Sequence, residues 1–227
     1  MFNKRFKTEL HAHTKPASSC SDILPEELVD IYEKNGYTSV TVTNHFCYDK
    51  EGRNPGELIK GYLEDYYKAK EYAKNINVIL GAEIRFTENS NDYLVFGINE
   101  SDFKTIFELL PFGVENFYKN FKNDKNIIIQ AHPFRNGMEE VNPEFLDGIE
   151  VFNMHPNHNS RVALAEKKAR ENNKVITCGS DFHHFGQECI TGIITNKPIF
   201  DSFELAKVLK EGKFIMNICG YDLKCNP

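Results

Sequence analysis

The residues nearest the start of the chain that could do chemistry are His11 and His13, which are separated by one alanine. In a β-strand, residues i and i+2 point to the same face, so both imidazoles would project together. Two neutral imidazoles side by side provide half of the coordination shell of a transition metal. Because a His-x-His pair also occurs on ordinary surfaces, its meaning depends on which other polar side chains join it.

Other candidate ligands follow predicted strands, each a few residues after the strand ends. They are His45, Glu83, His132, His155, Asp181 and His183. Catalytic groups converge at the carboxyl ends of strands in barrels and in open α/β sheets. Histidines on an ordinary surface would not recur at the ends of successive strands, so we expect these side chains to lie close together. Gly81 and Gly179 lie two residues before the carboxylates, where a small residue permits close approach of a ligand or ion.

The mixture of imidazoles and carboxylates indicates the kind of metal. Such a donor set suits Zn²⁺, Mn²⁺ or Fe²⁺ better than Ca²⁺ or Mg²⁺ alone. A carboxylate can bridge two metals, and metals about 3.5–4 Å apart are used to hydrolyse phosphate esters. Burying several charged groups together without a metal would be costly. We therefore favour metal ligands over mutually satisfied buried polar groups for His11, His13, Glu83, Asp181 and His183.

Strand patterns alternate with helix patterns along almost the whole chain, which is typical of βαβ units and a parallel sheet. β-branched and apolar runs predict strands at 7–12, 39–43, 78–80, 93–96, 127–129, 149–152, 175–178, 192–195 and 214–216. Helical spacing of apolar residues predicts helices at 25–35, 57–74, 102–110, 114–122, 160–172 and 201–211. No repeat or linker interrupts this pattern, so we interpret residues 1–227 as one domain.

Composition disfavours several classes of protein. The 227 residues carry a formal net charge of −6, which argues against a nucleic-acid surface but not against a phosphorylated small substrate. No apolar run approaches the roughly 20 residues of a membrane span, and residues 1–9 lack the apolar segment of a signal peptide. The 6 cysteines are scattered, which favours reduced thiols in a cytoplasm. The oligomeric state is left open.

The ordered set of motifs resembles that of the PHP (polymerase and histidinol phosphatase) superfamily. The matching stretches are His11-Ala12-His13, Asn44-His45, Glu83, Ala131-His132-Pro133 and Gly179-Ser180-Asp181-Phe182-His183. The resemblance runs from residue 9 to residue 183 and so covers most of the chain. It implies a distorted (βα)7 TIM-like barrel with two or three divalent metal ions and, commonly, phosphoesterase activity.

The resemblance also implies a distribution of ligands among the metals. One metal would take His11, His13, Glu83 and Asp181, a second would share Glu83 and take His132, and a third would take Asp22, His45 and His183. Asn44 departs from the Asp that relatives often have, and a hydrogen-bonding role could survive that change. Asp92 lies where relatives often supply a further histidine. Either Asp92 or His155 would replace that histidine, or the second metal would bind weakly.

Some of these residues have a structural alternative. Asp22 lies shortly before Pro25 and could equally cap a helix. His132 is followed by a proline and could form a structural corner, although we favour a ligand. Cys20 and Cys47 lie near the site but lack a nucleophile–base arrangement, so we interpret them as filler.

Three arginines lie close in sequence to a proposed ligand or strand end: Arg85, Arg135 and Arg161. Arginines at the mouth of a metal site could clamp a phosphate through two parallel hydrogen bonds. The alternative is an ordinary surface ion pair. Arg135, three residues after His132, is the best candidate for phosphate binding.

The predicted function is hydrolysis of a small phosphorylated metabolite by a di- or trinuclear metal site that activates water. Asp181 would be essential for turnover, and His183 or His45 could assist proton transfer. Histidinol phosphate, nucleotides and phosphotyrosine are all substrates within the superfamily. The alternatives are hydrolysis of a C–N or C–O bond on the same metals, and a metal-binding module with weak or no catalysis.

Overall fold

The computed structural model describes residues 4–48, 52 and 54–224. The helices of these residues are α1 (Pro25–Lys34), α2 (Pro55–Tyr72), α3 (Asp102–Leu109), α4 (Gly113–Phe121), α5 (Val162–Glu171) and α6 (Ser202–Lys210). The strands are β1 (Phe6–Glu9), β2 (Ser39–Val42), β3 (His45–Cys47), β4 (Asn77–Leu80), β5 (Ala82–Arg85), β6 (Asp92–Phe96), β7 (Ile127–Gln130), β8 (Gly148–Asn153), β9 (Val175–Gly179), β10 (Thr191–Thr195), β11 (Ile215–Ile218) and β12 (Tyr221–Leu223). In this part of the chain, no helix combines the length and apolar character needed to span a membrane. Cys225 lies outside the described residues.

The strands form two sheets of 6 strands each, with the orders β12-β11-β10-β1-β2-β4 and β3-β5-β6-β7-β8-β9. The expected mixed α/β fold is therefore confirmed. Barrel closure, which the resemblance implied, is not detected in the strand pairing of residues 4–48, 52 and 54–224. The ladders are interrupted where the chain passes from the first sheet into the second.

Two short segments connect strands of the first sheet to strands of the second. β2 is followed by β3 after two residues, and β4 is followed by β5 after Gly81. Backbone hydrogen bonds continue across the interruption, from Gly81 N to Val42 O and from Glu83 N to Asn44 O, both at 3.1 Å. A Cβ at position 81 would lie 2.8 Å from the ring of Phe96, so the close approach of these strands requires glycine.

Strand β6 runs antiparallel to both of its neighbours, β5 and β7. A series of βαβ units would place every strand parallel, because each unit returns the chain to the same end of the sheet. The reversal pairs Asp92, at the start of β6, with Arg85, at the end of β5. Asp92 therefore lies at the same edge as the carboxyl ends of β5 and β7.

Helices α1 and α2 cover one side of the sheets with the apolar faces that their spacing predicts. Tyr32 of α1 and Tyr62 and Tyr66 of α2 are buried. The Tyr62 hydroxyl donates a hydrogen bond of 2.7 Å to the carbonyl oxygen of Gly81. This bond fixes α2 against the segment that carries Glu83.

Most predicted elements are confirmed to within a few residues, and the exceptions have local causes. Helix α2 begins two residues earlier than predicted because the Asn54 side chain accepts a 2.8 Å hydrogen bond from Gly56 N and Pro55 occupies the first turn. Strands β3 and β5 were not predicted, since runs of 3 and 4 residues are too short to show a period.

Candidate metal centre

The predicted ligands other than Asp22 and His155 meet at one edge of the strands. Their donor atoms form overlapping groups, and within each group these atoms lie within 4.8 Å of one another. The groups are His11–His13–Glu83, His11–His132–Asp181, His45–Glu83–Asp92 and His13–His45–His183. Each group of imidazoles and carboxylates could hold a metal ion.

Short strands and strand ends hold these side chains in register. His45 and Glu83 lie directly opposite each other in β3 and β5, rather than in loops after a strand as predicted. The segment after β1 is joined to the segment after β9 by a hydrogen bond of 2.9 Å from His13 N to Phe182 O. That bond brings the His-x-His pair beside Asp181 and His183, which flank Phe182 in the sequence.

Glu83 lies at the centre of the cluster and is fully buried. Its Oε1 is 3.2 Å from His11 Nε2 and 3.1 Å from His132 Nε2. Its Oε2 is 2.8 Å from His45 Nδ1 and 3.4 Å from His13 Nε2. Each oxygen therefore faces two imidazole nitrogens, an arrangement suited to a carboxylate that is shared between metals.

Asp181 closes the cluster from the side of β9. Its Oδ1 lies 3.4 Å from the Nε2 atoms of His11 and His13 and 3.4 Å from Nδ1 of His183. The backbone φ of Asp181 is +52°, in the left-handed region that is costly for a residue with a side chain. Such conformations cluster at functional sites, where the surrounding contacts compensate for the cost.

Behind these ligands lies Glu150, a buried carboxylate that was not predicted as a site residue. It accepts hydrogen bonds from His11 Nδ1 at 2.8 Å, His132 N at 3.1 Å and Asn153 Nδ2 at 3.0 Å. We call His11, Glu83, His132 and Asp181 the enclosed end of the cluster. A charged residue within the apolar run 149–152 was the signal that could have identified Glu150.

Gly179 has a different role from the predicted one. A Cβ at this position would lie 2.1 Å from Glu150 Oε1 and 2.5 Å from His11 Cβ. The glycine therefore makes room for the pair of Glu150 and His11, and not directly for a ligand beside Asp181.

The donor set fits divalent metals, as the hydrogen bonds of the histidines show. Nδ1 of His11 donates to Glu150, and Nδ1 of His13 pairs at 3.2 Å with Ser18 Oγ, whose proton is donated to Asn44. These bonds leave the Nε2 lone pairs free to point into the cluster. Both Nε2 atoms are buried without a hydrogen-bond partner, which is costly unless a cation satisfies them.

The charges of the cluster set the pKa values of its members. Burial opposes ionisation of Glu83, but His11 and His45 hold the pKa of its carboxyl well below the usual range. Burial likewise opposes protonation of His11, but the carboxylates of Glu150, Asp181 and Glu83 raise its pKa well above the usual range. Burial and the neighbouring His183 lower the pKa of His13. The site thus favours ionised carboxylates and one neutral imidazole.

Asp92 reaches the cluster together with Arg85. The Arg85 guanidinium donates two hydrogen bonds of 2.7 Å to the Asp92 carboxylate, and Asp92 Oδ2 lies 3.8 Å from His132 Nε2. Burial and the nearby Glu83 raise the pKa of Asp92, although Arg85 opposes the shift. Arg85, a predicted phosphate-binding residue, is therefore engaged in neutralising Asp92.

His45, His183 and Cys20 form what we call the open end of the cluster. The His45 side chain is 27% exposed and that of His183 is 9% exposed, against 0–2% for the enclosed end. Burial opposes ionisation of the Cys20 thiol, but the neighbouring imidazoles of His183 and His45 lower its pKa to about 6. Cys20, interpreted from the sequence as filler, is therefore a polar member of the site.

Asp22 lies outside the cluster. Its side chain is 71% exposed, and its Oδ2 is 2.8 Å from Nδ1 of His184. Asp22 does not cap α1 either, because the N-cap position is Leu24, whose backbone N donates to Glu27. Asp22 is therefore neither in the ligand cluster nor at the N-cap of α1, which were the two positions predicted for it.

Two other predicted residues, His155 and Arg135, lie at the mouth of the site. The His155 ring lies 5.6 Å from that of His183, and burial lowers its pKa to about 4. Arg135 Nη1 is 3.4 Å from Asp181 Oδ2, and its side chain is 25% exposed. Arg161, in contrast, donates to the Phe134 carbonyl oxygen and to Asn136.

Comparison with known proteins agrees with this geometry. The model of the PHP domain family matches residues 9–177. No curated protein matches the sequence significantly.

Three solved structures share the fold at low sequence identity. A two-domain protein from Bacteroides vulgatus that contains a predicted PHP-like metal-dependent phosphoesterase is 16% identical, with a TM-score of 0.65 over 95% of this chain and 65% of its own. The chain thus spans about 65% of the length of that protein. PsfC from Pseudomonas syringae is 14% identical, with a TM-score of 0.57 over 85% of this chain and 82% of its own. An amidohydrolase from Chromobacterium violaceum is 15% identical, with a TM-score of 0.54 over 80% of this chain and 89% of its own. The PHP domain model matches residues 9–177, which is most of the sequence, so the chain belongs to the PHP domain family.

Proposed function

We propose that the protein is a metal-dependent phosphoesterase that hydrolyses a small phosphorylated metabolite at the cluster centred on Glu83. The observation that carries this proposal is the orientation of the donor atoms. Glu83 faces four imidazole nitrogens, and the buried Nε2 atoms of His11 and His13 have no hydrogen-bond partner. Divalent cations would bind the lone pairs of these nitrogens and of the carboxylate together, whereas protons would leave some of these atoms without a partner.

The proposed ligand assignment is the one that the resemblance to the PHP family implies, except that Asp22 is left out. One metal is assigned to His11, His13, Glu83 and Asp181, a second to Glu83 and His132, and a third to His45 and His183. In support, His11, His13 and Glu83 share one group of neighbouring donor atoms, and His45 and His183 share another. Asp92 is the candidate that replaces the further histidine of relatives, because it lies beside both Glu83 and His132. Zinc, manganese or iron suits this mixture of nitrogen and oxygen donors.

When bound, the metals supply activation of water and neutralisation of charge on the phosphoryl oxygens. The residues of the chain orient the donors: Glu150 holds the Nδ1 proton of His11, and the Asp181 carbonyl oxygen accepts a 2.8 Å hydrogen bond from Nδ1 of His183. His183 can therefore bind a metal or accept a proton only at Nε2. We assign proton transfer to His183 or His45 when the third metal does not occupy that histidine, since both lie on the side that is open to solvent.

Arg135 is the best candidate for holding the phosphate. Its guanidinium lies between Asp181 and His158 at the mouth of the site and is partly exposed. A guanidinium presents parallel N–H donors that match two phosphate oxygens. Arg85 and Arg161 have their guanidinium groups engaged by Asp92 and by the 134–136 segment, so their predicted phosphate contacts would require them to exchange partners.

The finer features expected from the resemblance are part of the same proposal. We propose that the two sheets form a distorted barrel, in which an isolated parallel bridge between Ala12 and Phe182 links the ends of β1 and β9. We also propose a histidinol-phosphatase-like substrate, one domain over residues 1–227 and a cytoplasmic location. The five described cysteines are free thiols, which agrees with a reducing compartment.

The experiment compares phosphate release by the wild type with that by Asp181→Asn, after loading with Mn²⁺ or Zn²⁺. We expect the variant to lose turnover and bound metal, because Asp181 Oδ1 faces three imidazoles. Asp147→Asn is the matched control: this carboxylate accepts a hydrogen bond from Ile128 N at the opposite end of β7. Full activity in Asp181→Asn would overturn the site assignment.

Hydrolysis of a C–N bond on the same metals is a second candidate. The chain shares its fold with the amidohydrolase from Chromobacterium violaceum, and a metal site alone does not select phosphorus over carbon. A panel of phosphomonoesters and amides, assayed with the same metal-loaded protein, separates the two. Turnover of amides without any phosphate release would replace the first proposal by the second.

A further inference from the structure

A cavity of about 410 Å³ adjoins the open end of the cluster. His45 is one of its lining residues, and Nδ1 of the same ring lies 2.8 Å from Glu83 Oε2. One imidazole therefore belongs both to the cluster and to the wall of the cavity. The volume is within the range of sites for small molecules, about 300–1,000 Å³. A group that is joined to a phosphate at the cluster can reach this cavity past His45.

The lining of the cavity combines apolar and polar side chains. Phe46 of β3 and Tyr62 of α2 form an aromatic wall, in which the two rings pack edge to face with their centres 5.4 Å apart. Leu58 extends the apolar surface, whereas Ser19 and Glu57 add a hydroxyl and a carboxylate. Such a mixture suits a small ring with polar substituents, because the faces of the ring bury apolar surface while its edge keeps hydrogen bonds.

Two walls of the cavity, the loop 16–19 and helix α2, are fixed to each other. The buried carboxylate of Asp65 in α2 accepts hydrogen bonds from Ala17 N and from Thr14 Oγ1, both at 3.0 Å. The Tyr62 hydroxyl joins the same helix to the segment between β4 and β5 at 2.7 Å. The cavity between these elements is therefore preformed, which lowers the cost of ordering a ligand there.

Gly61 keeps the cavity wide at the wall that α2 provides. It lies three residues after Leu58, on the helix face that lines the cavity, and a Cβ at this position would have no atom within 4 Å. Glycine inside a helix lowers its stability relative to other residues, so helix propensity does not account for it. A larger side chain here would project into the cavity and narrow it.

We propose that this cavity binds the alcohol part of the substrate, which is a phosphomonoester whose alcohol carries a ring-sized, partly apolar group. The inference rests on the proposed phosphoesterase function, since it names the substrate class of the same site. The phosphate is assigned to the cluster and Arg135, and the ring to the aromatic wall of Phe46 and Tyr62. Gly61 determines specificity, because its lack of a side chain sets the width of the cavity.

Gly61→Leu tests the assignment, because leucine fills the cavity without straining a backbone that lies outside the left-handed region. Benzyl phosphate and ethyl phosphate serve as substrates, since both are esters of primary alcohols and they differ in the ring. Lys60→Leu is the matched control: it introduces the same side chain one position earlier, at an exposed residue that does not line the cavity. Melting temperature and metal content establish that all three proteins are folded and loaded.

We expect the wild type and Lys60→Leu to prefer benzyl phosphate over ethyl phosphate at least about tenfold in kcat/KM. Gly61→Leu should lose this preference through a fall in its kcat/KM for benzyl phosphate. The proposal is overturned if the wild type does not distinguish the two esters, or if Gly61→Leu keeps the preference.

Binding of phenethylphosphonate, in which CH₂ replaces the ester oxygen of benzyl phosphate, separates this failure from that of the proposed function. Calorimetry measures its affinity for the same three proteins, and the measurement requires no turnover. Binding that Gly61→Leu alone weakens, without phosphate release from either ester, would contradict the phosphoesterase function and support the cavity as a ligand site. If the wild type neither binds the phosphonate nor hydrolyses the esters, both proposals fail.

Discussion

The two ends of the ligand cluster differ in how their donors are held in place. At the enclosed end, His11 and His132 are fixed by the buried carboxylate of Glu150, through hydrogen bonds of 2.8 and 3.1 Å. At the open end, His45 and His183 are fixed by backbone contacts with the loop that carries Cys20. Buried carboxylates make the enclosed end rich in charge, whereas the open end offers imidazoles that are partly exposed to solvent. The two ends therefore differ in charge and in access to solvent, although Glu83 joins them.

The strongest way to break this comparison is to remove the residue that the two ends share. Glu83 faces His11 and His132 with Oε1, and His13 and His45 with Oε2. We expect Glu83→Gln to lose metal at both ends and to lower kcat/KM at least about a hundredfold. Elemental analysis and phosphate-release kinetics measure the two effects. Glu166→Gln, on the exposed face of α5, is the control that should change neither.

A second variant separates the ends instead of removing both. Glu150→Gln replaces an acceptor of three hydrogen bonds by an amide, whose NH₂ group opposes donors from His11, His132 or Asn153. We expect metal affinity at the enclosed end to fall about 10–100-fold, while metal bound near His45 and His183 is retained, as metal titration of the two proteins measures. Equal losses at both ends would show that the two sites are not independent.

A third change concerns the mouth of the site. Arg135→Gln removes a guanidinium that lies 3.4 Å from Asp181 and is only one-quarter exposed. Because a charge-assisted hydrogen bond contributes about 1.5 kcal/mol, we expect kcat/KM to fall about tenfold with the bound metals retained. Arg161→Gln is the matched variant, whose guanidinium binds Asn136 and the Phe134 carbonyl oxygen. A larger loss in Arg161→Gln would move the phosphate contact to that residue.

The smallest expected effect is on stability after chelation. The raised pKa of His11 contributes stability that is full below its unfolded value of 6.5 and is lost as the pH rises through the folded pKa. The lowered pKa of Glu83 contributes stability that is present above 4.5 and is lost on acidification. The melting temperature of the chelated protein should therefore be highest between pH 4.5 and 6.5.

Bound metals replace the proton of His11 as partners of the carboxylates, so the loaded protein should keep its melting temperature at alkaline pH. Thermal melts across the pH range, with and without chelator, measure the difference, which we expect to be several degrees. Identical pH profiles for the loaded and chelated protein would contradict this account of the enclosed end.

Three ligands of the enclosed end could be brought together from the sequence because their register follows from strand geometry. His11, His132 and Asp181 each lie two residues after a strand, and such strand ends meet at one edge whatever the details of packing, whereas Glu83 lies within the short strand β5. The antiparallel direction of β6 was not predictable from the apolar run 93–96, since a run of that length carries no direction. That reversal is what brings Asp92 to the cluster.

The residues that sequence reasoning missed act through contacts that are distant along the chain. Glu150 bonds to His11 across 139 positions, and no local pattern reports such a pair. The outward position of Asp22 depends on contacts of Ser18 and Ser21 with the backbone of His45 and His183, which fix the loop in one of several conformations that its sequence permits. Motif spacing placed the carboxylate near the site but could not decide which side chain the loop turns inward.

The most direct test of a metal centre around Glu83 is a crystal structure of the protein grown with Zn²⁺ and Mn²⁺, with anomalous scattering measured at both absorption edges. We expect at least one metal on each side of Glu83, with one of them near His45 and His183. This expectation would be contradicted by the absence of anomalous density around Glu83, or by metal found only outside the cluster, for example between Asp22 and His184.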